Sequence, residues 1–438
     1  MQDVCQDITP GRGPKYSATG IPCLKTRNVG NVLVDKETEE FVSYEYSERN
    51  DRLRVPADSV LMTLSGAGSI GRVGVYLGSE RPFTNQHLVW FKLTQDLDSG
   101  FMAAYLSTWW GERAIEQGIS GSTGQLWLNQ DHIREIPVTT PESSVQRAIG
   151  NKVRKAERLR EISASLRESA SGQIENLYGK LPSNGTKLAS WVASDVLQPE
   201  RLDAWFHKPY YLSLAMQFRD RDDVIPVNNL CRRITASVDF SKWPSTSFDY
   251  YEIGEIKSGT GEAVGVEVNV VDAPSRAKTL VRAGDVLVST VRPNLKAIAQ
   301  ISPDHKRIGV ATSGFCVLRA ETEAIGAYIR ACLVTDAGTH QLMRWSTGGT
   351  YPAIDHSVPL NVLVPNPGEE QIEVIGKQLL LALDYTHQAS SLVEDAKTDV
   401  ESLIEGSLDL ERLLGEGEST GRWLEENPVP SSKGRKHS

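Results

Sequence analysis

The chain has 438 residues, of which 39% are hydrophobic, 24% charged and 7% aromatic, and its formal net charge is −9. These values are typical of a soluble globular protein, and the length predicts roughly two to four domains. They exclude a membrane-spanning chain, because no apolar run reaches the ~18 residues of a transmembrane helix.

The negative charge is unevenly distributed along the chain. Residues 1–142 carry −5, residues 143–181 carry +4, residues 182–368 carry 0, and residues 369–438 carry −8. Because the excess acid lies in the last segment, a local basic face elsewhere can still contact DNA phosphates. Composition alone does not suggest DNA as a partner.

The cysteines and the N-terminus indicate the compartment. Residues 1–5 have neither the basic n-region nor the apolar h-region of a secretory signal. No C-x-x-C pair occurs, which favours free or buried thiols over disulfides or a zinc site. We therefore expect a cytoplasmic protein. The cysteines are Cys5, Cys23, Cys231, Cys316 and Cys332.

The same order of predicted elements occurs twice along the chain. In each copy, short alternating apolar segments separated by Gly, Pro and Asn predict strands and turns. A helix follows, at residues 101–106 in the first copy and 327–332 in the second, and then a Ser/Thr/Gly loop, a short strand and a long helix. Residues 53–63 return as residues 280–290, an offset of 227. This repetition predicts two similar α/β (α+β) domains in tandem.

Apolar residues recur every three or four positions in two long stretches, and each seam continues for about five heptads. The first seam comprises Val145, Ile149, Val153, Ala156, Leu159, Ile162, Leu166, Ala170, Ile174 and Leu177. The second comprises Ile372, Ile375, Leu379, Ala382, Thr386, Ala389, Val393, Ala396, Val400 and Leu403. Either the two helices bury their seams against each other as an antiparallel coiled coil, or each covers its own domain's sheet. The narrow seams, and lengths well above the ~12-residue average, favour the coiled coil.

These patterns divide the chain into five segments. We predict a first domain at residues 1–142, a first spacer helix at 143–181, and a connector with the second domain at 182–368. A second spacer helix follows at 369–410. Residues 411–438 are rich in Gly, Ser, Glu and Pro and end in Lys and Arg, which predicts a disordered acidic/basic tail.

Several short motifs imitate catalytic or cofactor sites. Residues 66–71 spell G-x-G-x-x-G, but the alternating residues 72–77 predict a strand where a dinucleotide fingerprint requires a helix. Glu255 and Lys257 imitate the end of a nuclease core, but the nearest upstream acids, Asp249 and Glu252, are too close to come from a separate strand. The sequence also lacks a Walker A motif, an H-E-x-x-H motif and the tetrapeptides of adenine methyltransferases.

Over nearly its whole length, the chain resembles the specificity subunit of type I restriction–modification systems. The first copy carries the matching segments Gly20-Ile21-Pro22, residues 55–63, residues 68–74, Asn85-Gln86-His87, Gly121-Ser122-Thr123-Gly124, Ile136-Pro137, Pro141 and Gln146. The second carries residues 283–287, Pro365-Asn366-Pro367 and Glu370-Gln371. Members usually have a few more residues before Asp3, so we expect this start to be short, and residues 303–314 are less typical.

The resemblance implies a non-catalytic chain with two target-recognition domains, each reading one half of a split site in double-stranded DNA. The spacer helices would set the half-site separation and dock two methyltransferase subunits, and restriction/translocase subunits would join them in DNA methylation and phage defence. No cofactor is expected in this chain; S-adenosylmethionine and ATP with Mg would act in the partner subunits. A helix of ~35 residues is about 50 Å long, which corresponds to half-sites on the order of ten base pairs apart.

Polar and basic loop residues are the candidates for DNA contact, because phosphates attract Lys and Arg while Arg, Asn and Gln match base edges. In the first copy they are Lys15, Tyr16, Lys25, Arg27, Asn28, Ser65, Ser69, Arg72, Gln86, His87, Ser122, Thr123 and Gln125. In the second they are Lys257, Ser258, Thr290, Arg292, Asn294, Lys296, Thr312, Ser313, Thr347, Thr350 and Tyr351. Any one of them could instead lie on a solvated loop without a partner.

Two other classes of function fit the repeat. The chain could be a coiled-coil scaffold whose two heads do not bind DNA, which predicts no salt-sensitive DNA affinity. It could also be a metal-dependent nuclease that uses Glu255 and Lys257, which predicts that the isolated chain cuts DNA and that Glu255→Ala abolishes the cutting.

Overall fold

The computed structural model describes residues 1–66, 68–121, 126–183, 194, 197, 201–302 and 307–428. They separate into two compact units, of which unit 1 combines residues 1–161 with 387–438 and unit 2 comprises residues 162–386. Each unit contains both sheets and helices, and the predicted mixed α/β (α+β) class is confirmed.

Unit 1 begins with a run of short strands. Its strands are β1 (Cys5–Pro10), β2 (Tyr16–Ser17), β3 (Ile21–Leu24), β4 (Val32–Leu33), β5 (Phe41–Val42), β6 (Ser59–Thr63), β7 (Val73–Tyr76), β8 (Phe83–Thr84), β9 (Leu88–Leu93), β10 (Ile119–Ser120) and β11 (Trp127–Leu128). Its shorter helices are α1 (Tyr44–Asn50), α2 (Ser99–Leu106), α3 (Trp109–Glu116) and α4 (Gln130–Glu135).

These strands form a main sheet with the order β1-β9-β6-β7-β4 and a smaller sheet with the order β2-β5-β3-β8. The β4–β7 and β3–β8 pairs are parallel and the other pairs in the two sheets are antiparallel. All five residues of β6 and all eight residues of α2 are buried. The apolar run in β6 therefore does not alternate, because both faces of this central strand are covered.

Unit 2 contains the strands β12 (Val224–Pro226), β13 (Cys231–Ile234), β14 (Ser247–Tyr251), β15 (Ile256–Lys257), β16 (Glu262–Ala263), β17 (Val266–Asn269), β18 (Ala277–Val281), β19 (Val286–Ser289), β20 (Ile298–Gln300), β21 (Gly309–Thr312), β22 (Phe315–Ala320) and β23 (Leu363–Pro365). Its shorter helices are α6 (Pro209–Arg219), α7 (Glu323–Val334) and α8 (Asp336–Arg344).

The sheets of unit 2 repeat those of unit 1. The main sheet has the order β13-β22-β19-β20-β16-β15 and the second sheet has the order β17-β14-β21-β18. As in unit 1, the main sheet contains one parallel pair, β16–β20, and the second sheet contains one parallel pair, β14–β21. The fold thus has the internal repeat that the sequence predicts.

Two long helices, α5 (Ser143–Tyr178) and α9 (Glu369–Glu405), each contribute residues to both units. Within unit 1, Lys152 of α5 contacts Asp399 of α9. Within unit 2, Ser163 contacts Ala382 and Leu166 contacts Gln378. Within unit 2 the residue number falls along α9 as it rises along α5, so the two helices run antiparallel there. Residues of both helices, among them Ile174 and Ile375, also pack in the core cluster of unit 2, so the coiled coil stays a prediction.

Most of the predicted seam is buried, but its middle differs from the prediction. Ile162 and Leu166 are half-buried, while Ser163 is fully buried and lies between the helices. The Ser163 hydroxyl lies 2.5 Å from the Ala382 carbonyl oxygen and 2.9 Å from the Thr386 hydroxyl, and Arg167 donates to it. Ser163 occupies this position because its hydroxyl is hydrogen-bonded to groups of both helices. Leu403, at the end of the second seam, is also half-buried.

The predicted disordered tail is wrong over residues 411–426, which belong to helix α10 (Leu410–Glu426). Leu413 of this helix is fully buried, and Gly417 packs directly on Ala148 of α5. Ion pairs join Arg412 to Asp399 and Glu416 to Lys152. Most of the Glu and Ser residues that suggested disorder lie on the exposed side of this helix, whereas Leu413, Gly417 and Thr420 are buried.

Candidate nucleic-acid interface

In unit 1, backbone hydrogen bonds bring three loops to the end of the central strand β6. Leu64 N–H donates to the His87 carbonyl, at 2.8 Å, and Leu128 N–H donates to the Leu64 carbonyl, also at 2.8 Å. Ser65 then pairs with Trp127 in an isolated antiparallel bridge. The turn after β6, the β8–β9 turn and the strand β11 therefore meet at one surface.

Unit 2 builds this junction with equivalent backbone groups. Thr290 N–H donates to the Gly314 carbonyl at 2.9 Å, and Ile354 N–H donates to the Thr290 carbonyl at 2.9 Å. Val291 pairs with Ala353, just as Ser65 pairs with Trp127, and both partners are offset by 226 residues. The two units thus present the same loop scaffold.

The side chains on the unit 1 scaffold form a polar and aromatic cluster. Ser65 Oγ lies 2.6 Å from His87 Nδ1, and Gln86 Nε2 lies 3.1 Å from His87 Nε2. The His87 ring lies 5.9 Å from the ring of Trp127, which is 37% exposed. Hydroxyl, amide and imidazole groups beside an exposed indole can hydrogen-bond to base edges and pack on bases. Trp127 was not among the predicted residues, and its signal was a large aromatic residue directly after a Gly/Ser loop.

The predicted basic residues of unit 1 differ in how far their charges are already paired. Lys15, Arg27 and Arg72 are exposed, and Arg72 Nη2 donates to the Gly68 carbonyl at 3.0 Å. Lys25 lies 2.5 Å from the Glu40 carboxylate and 4.6 Å from the centroid of the exposed Tyr16 ring. The hydrogen bond with Glu40 raises the pKa of Lys25, so its charge is partly neutralised within the loop. Ser69 is half-buried, and its carbonyl accepts a hydrogen bond from Thr63.

The corresponding cluster in unit 2 is built around an arginine and a tyrosine. Arg292 Cζ lies 4.3 Å from the centroid of the Tyr351 ring, which is 65% exposed. Arg292 and Lys296 have positive φ values of 51° and 54°, a left-handed conformation that is uncommon for residues other than glycine. Arg292 N–H donates to the Pro352 carbonyl at 2.7 Å, which ties the two loops together. Such backbone conformations cluster at binding and catalytic sites.

The other predicted residues of unit 2 differ in exposure and in whether they already have a partner within the chain. Asn294, Ser313, Thr347 and Thr350 are exposed. Ser258 Oγ donates to the Leu295 carbonyl at 3.4 Å, which holds the exposed 258 turn beside the 292–296 loop. Lys296 pairs with Asp336 at 3.0 Å and Lys257 pairs with Glu262 at 2.8 Å, so both ammonium groups have a carboxylate partner within the chain.

Three of the predicted contact residues are corrected by their burial. Asn28 is 2% exposed, and its amide bonds the Lys25 N–H and the carbonyls of Asp35 and Glu37. Thr290 is 5% exposed, and its hydroxyl donates to the Gly314 carbonyl. Thr312, in β21, is 4% exposed. These small polar residues hold the loops in shape and are not available to DNA. Ser122, Thr123 and Gln125 lie outside the described residues.

The G-x-G-x-x-G motif at residues 66–71 forms a turn between two strands. Gly66, Gly68 and Gly71 all have positive φ, and the next element is the strand β7, as predicted, so no helix N-terminus is present to hold a pyrophosphate.

Across the described residues, no group of three or more His, Cys, Asp or Glu side chains could hold a metal ion. In the same residues, no helix is long and apolar enough to cross a membrane. All five cysteines are free thiols, and burial raises the pKa of Cys316 to about 12.

Comparison with solved structures finds similarities that extend over almost the full chain. The type I restriction–modification S subunit from M. genitalium is 15% identical, with 95% of this chain and 94% of that chain covered and a TM-score of 0.45. The HsdS subunit from Thermoanaerobacter tengcongensis is 12% identical, with 93% and 96% covered and a TM-score of 0.31. A structure of the type I R-M system, concerned with complex assembly and conformational transition, is 13% identical, with 95% of both chains covered and a TM-score of 0.28.

No family model and no curated protein sequence matches the chain. At these identities and TM-scores, the structural similarities do not by themselves establish a function. The functional argument therefore rests on the chain's own repeat, its loop clusters and its paired helices.

Proposed function

We propose that this chain is the sequence-reading, non-catalytic specificity subunit of a type I restriction–modification complex, with each unit reading one half of a split DNA site. The observation that carries the proposal is the duplicated loop junction. Its backbone hydrogen bonds are the same in both units, whereas the exposed side chains on it differ.

The difference between the side chains is what a bipartite reader requires. Unit 1 offers Ser65, Gln86 and His87 beside an indole, while unit 2 offers Arg292 stacked on Tyr351 and flanked by Asn294. Arginine matches guanine edges, and glutamine or asparagine matches adenine edges. Two equal scaffolds with unequal tips would therefore select two different short sequences, while nearby lysines and arginines contact phosphates without reading sequence.

The paired helices α5 and α9 supply the second part of the function. A buried polar group between two helices can fix their register, because a shift would leave it without a hydrogen-bond partner. Ser163, with its contacts to Ala382 and Thr386, is such a group. We assign to these helices the role of setting the half-site separation and docking two methyltransferase subunits.

Methylation and cleavage would then come from partner chains. These partners would bind S-adenosylmethionine, ATP and Mg²⁺, and the restriction/translocase subunits would complete a phage-defence complex. This chain would contribute only the choice of DNA sequence.

Salt-dependent DNA binding by the full chain, alone and with its methyltransferase partner, separates this proposal from the two alternatives. Contacts with phosphates predict that the logarithm of the affinity falls linearly with the logarithm of the salt concentration. A scaffold with non-DNA heads predicts no such affinity. A nuclease predicts metal-dependent cutting by the isolated chain that disappears in Glu255→Ala, so intact DNA after incubation with Mg²⁺ or Mn²⁺ would contradict it.

A further inference from the structure

In unit 2, the segment that leads into helix α6 lies along the end of helix α8. Arg201 donates through Nη1 to the Trp345 carbonyl at 3.0 Å and through Nη2 to the Ser346 carbonyl at 3.3 Å. Arg344 Nε donates in the other direction, to the Phe206 carbonyl at 3.3 Å. These bonds fix the segment against the last residue of α8 and the two residues that follow it.

The same contacts gather three cations around aromatic rings. Phe206 is fully buried, and the guanidinium carbons of Arg201 and Arg344 lie 5.0 Å and 4.1 Å from its ring centroid. The Lys208 ammonium nitrogen lies 3.8 Å from the centroid of the Trp205 ring. An aromatic ring attracts a cation without neutralising it, so each group keeps its full positive charge.

Carboxylates of the chain balance only part of this charge. Arg201 pairs with Asp203 at 2.7 Å, whereas Lys208 and Arg344 have no carboxylate partner among the described residues. The terminal amino groups of Arg344 also lack a hydrogen-bond acceptor in the part of the chain that the structure describes. Burial, and then the charge of Arg201, lower the pKa of Arg344. An anion at this surface would therefore gain charge-assisted hydrogen bonds.

The three cations lie next to the loop junction of unit 2. Arg201 donates to the Ser346 carbonyl, and Thr347, the next residue, pairs with Ala353 in an isolated antiparallel bridge. Ala353 also pairs with Val291, which joins the two loops of the junction. The exposed arginine–tyrosine pair of unit 2 is therefore only a few backbone residues away from these cations.

Position and chemistry together favour the DNA backbone as the anion. A base-reading tip enters a major groove that is about 12 Å wide, and phosphates border this groove on both sides. Cations beside such a tip are therefore placed at the flanking phosphates. The planar fork of arginine matches phosphate oxygens, and lysine acts there as a point charge. An acidic protein surface offers the same charge, but the position next to the loop junction favours DNA.

We propose that Arg201, Lys208 and Arg344, which we call the basic platform, bind the phosphates that flank the half-site read by unit 2. The platform contributes affinity and fixes the register of the tip, whereas base preference comes from Arg292 and its neighbours. These cations are additional to the residues that the sequence predicted as DNA contacts. The inference rests on the proposed function, to which it adds a phosphate site outside the duplicated loop junction.

The test uses the full chain with its methyltransferase and a labelled duplex of mixed sequence, with affinity read by fluorescence anisotropy over a range of salt concentrations. Lys208→Gln removes an exposed cation. It should lower the affinity about fivefold at ~0.1 M salt and reduce the salt slope by about 1. Arg344→Gln should have the same effect, and Lys208→Arg, which keeps the charge, should restore both values.

The matched control is Arg219→Gln, which removes another exposed cation from the opposite end of α6. Gln217, two residues earlier, donates to the Lys180 carbonyl, so this end of the helix lies beyond the end of α5 and away from the loop junction. Affinity and salt slope should stay at the wild-type values in this variant.

A phosphate contact also differs from a base contact in its dependence on sequence. Lys208→Gln should weaken duplexes with and without the recognised motif by the same factor, whereas Arg292→Ala should weaken mainly the duplex that carries the motif. A selective loss for the recognised motif in Lys208→Gln would contradict the phosphate assignment.

The outcomes separate this inference from the proposed function. Wild-type affinity and salt slope in both Lys208→Gln and Arg344→Gln overturn the basic platform alone. Loss of methyltransferase binding in these variants, with DNA affinity unchanged, also overturns it, because the cations would then bind a protein surface. A wild-type complex without salt-dependent DNA affinity overturns the proposed function and this inference together.

Discussion

The two units share their backbone hydrogen bonds and differ in the side chains that these bonds position. At the end of β6 and at the end of β19, equivalent carbonyls accept from equivalent N–H groups, although the tips carry Ser65 and Trp127 in unit 1 and Val291 and Ala353 in unit 2. Backbone groups hold each scaffold together, so the exposed side chains are free to vary. A duplicated chain can in this way present two unlike surfaces on one framework.

The contacts between α5 and α9 also occupy equivalent positions in the two units but use different side chains. Lys152 and Asp399 in unit 1 correspond, at an offset of 226, to Gln378 and Gln173 in unit 2. The first pair is a buried ion pair at 2.6 Å, while the second is an amide pair at 3.4 Å. Helix α10 accompanies the ion pair and adds Glu416 and Arg412 to it. Equivalent positions thus carry a charged network in one unit and a neutral contact in the other.

The largest effect is expected from Leu159→Pro, which breaks α5, the helix that contributes residues to both units. Leu159 is 1% exposed, and proline within a helix costs about 3 kcal/mol or more in addition to the lost packing. We expect loss of methyltransferase co-purification and a large fall in the thermal midpoint. Leu159→Met, which conserves volume, is the control. Normal assembly of the proline variant would show that the helical spacer is misinterpreted.

Lys152→Met and Gln378→Met compare how much the charged and the neutral contact each contribute to the free energy of unfolding. Removing Lys152 leaves Asp399 buried with Arg412 as its remaining cation, so we expect a loss of about 3 kcal/mol in the free energy of unfolding. Gln378→Met removes two neutral hydrogen bonds, with Gln173 and with the Leu166 carbonyl, at a half-buried site and should cost about 1 kcal/mol. Chemical denaturation measures both, and equal losses would contradict the assigned difference.

The charged contact also carries a pH signature. Burial alone would lower the pKa of Lys152, but hydrogen bonds with Asp399 and Glu416 outweigh it and raise the pKa above the usual 10.5. A raised lysine pKa contributes stability below the unfolded-state value, and that stability is lost as the pH rises through the folded-state value. The wild-type chain should therefore lose stability above pH 10.5 more steeply than Lys152→Met does.

Glycine-to-alanine changes test whether the long helix packs equally closely on the core helix in the two units. Gly150 of α5 and Gly376 of α9 are equivalent and let each long helix approach the start of a core helix. A Cβ at Gly150 would strike the Asp98 side chain, whereas a Cβ at Gly376 would strike the Ala324 backbone carbonyl, which cannot rotate away. Overpacking costs about 1–3 kcal/mol, so Gly376→Ala should fall near the upper value and Gly150→Ala near the lower one. The reverse order in denaturation would contradict the repeat's geometry.

The most selective effect, on DNA recognition and not on the free energy of unfolding, is expected at the tips. Arg292→Ala should weaken recognition of one half-site, and His87→Ala should weaken recognition of the other, each by about 1–3 kcal/mol of base discrimination and without loss of stability. Binding to DNA libraries randomised in one half at a time measures the two effects separately. Equal damage to both halves by either variant would indicate a folding defect or a shared site.

The sequence predicted the features that depend on periodicity and repetition. The apolar spacing located α5 and α9 closely, since long helices with regular seams are the least ambiguous pattern in a sequence. The drift of the seam from Ile162 to Ser163 was missed because Ser163 gains its place from hydrogen bonds across the interface. Helix α10 was missed because its few apolar residues are stabilised by packing on Ala148 and pairing with Lys152.

The candidate interface was predicted less well than the helices. Loop polarity identified Arg292, Tyr351, Gln86 and His87, which are exposed or half-buried. It could not separate them from the buried Asn28, whose amide is hydrogen-bonded within its own loop. Whether a polar side chain faces solvent or satisfies nearby backbone groups depends on the loop's path, which composition does not encode. Trp127 was missed because the prediction was based on the polar residues of the preceding loop, and Trp127 follows Leu126 in an apolar pair.

The central claim is that two unlike tips on one duplicated framework read two unlike half-sites, and the methylome of the host tests it most directly. Comparison of cells with the gene intact and deleted should show loss of methylated adenine at one split, asymmetric motif. Arg292→Ala should then relax one half of that motif and His87→Ala the other. An unchanged methylome, with the neighbouring methyltransferase expressed, would contradict the account and favour a scaffold whose heads do not bind DNA.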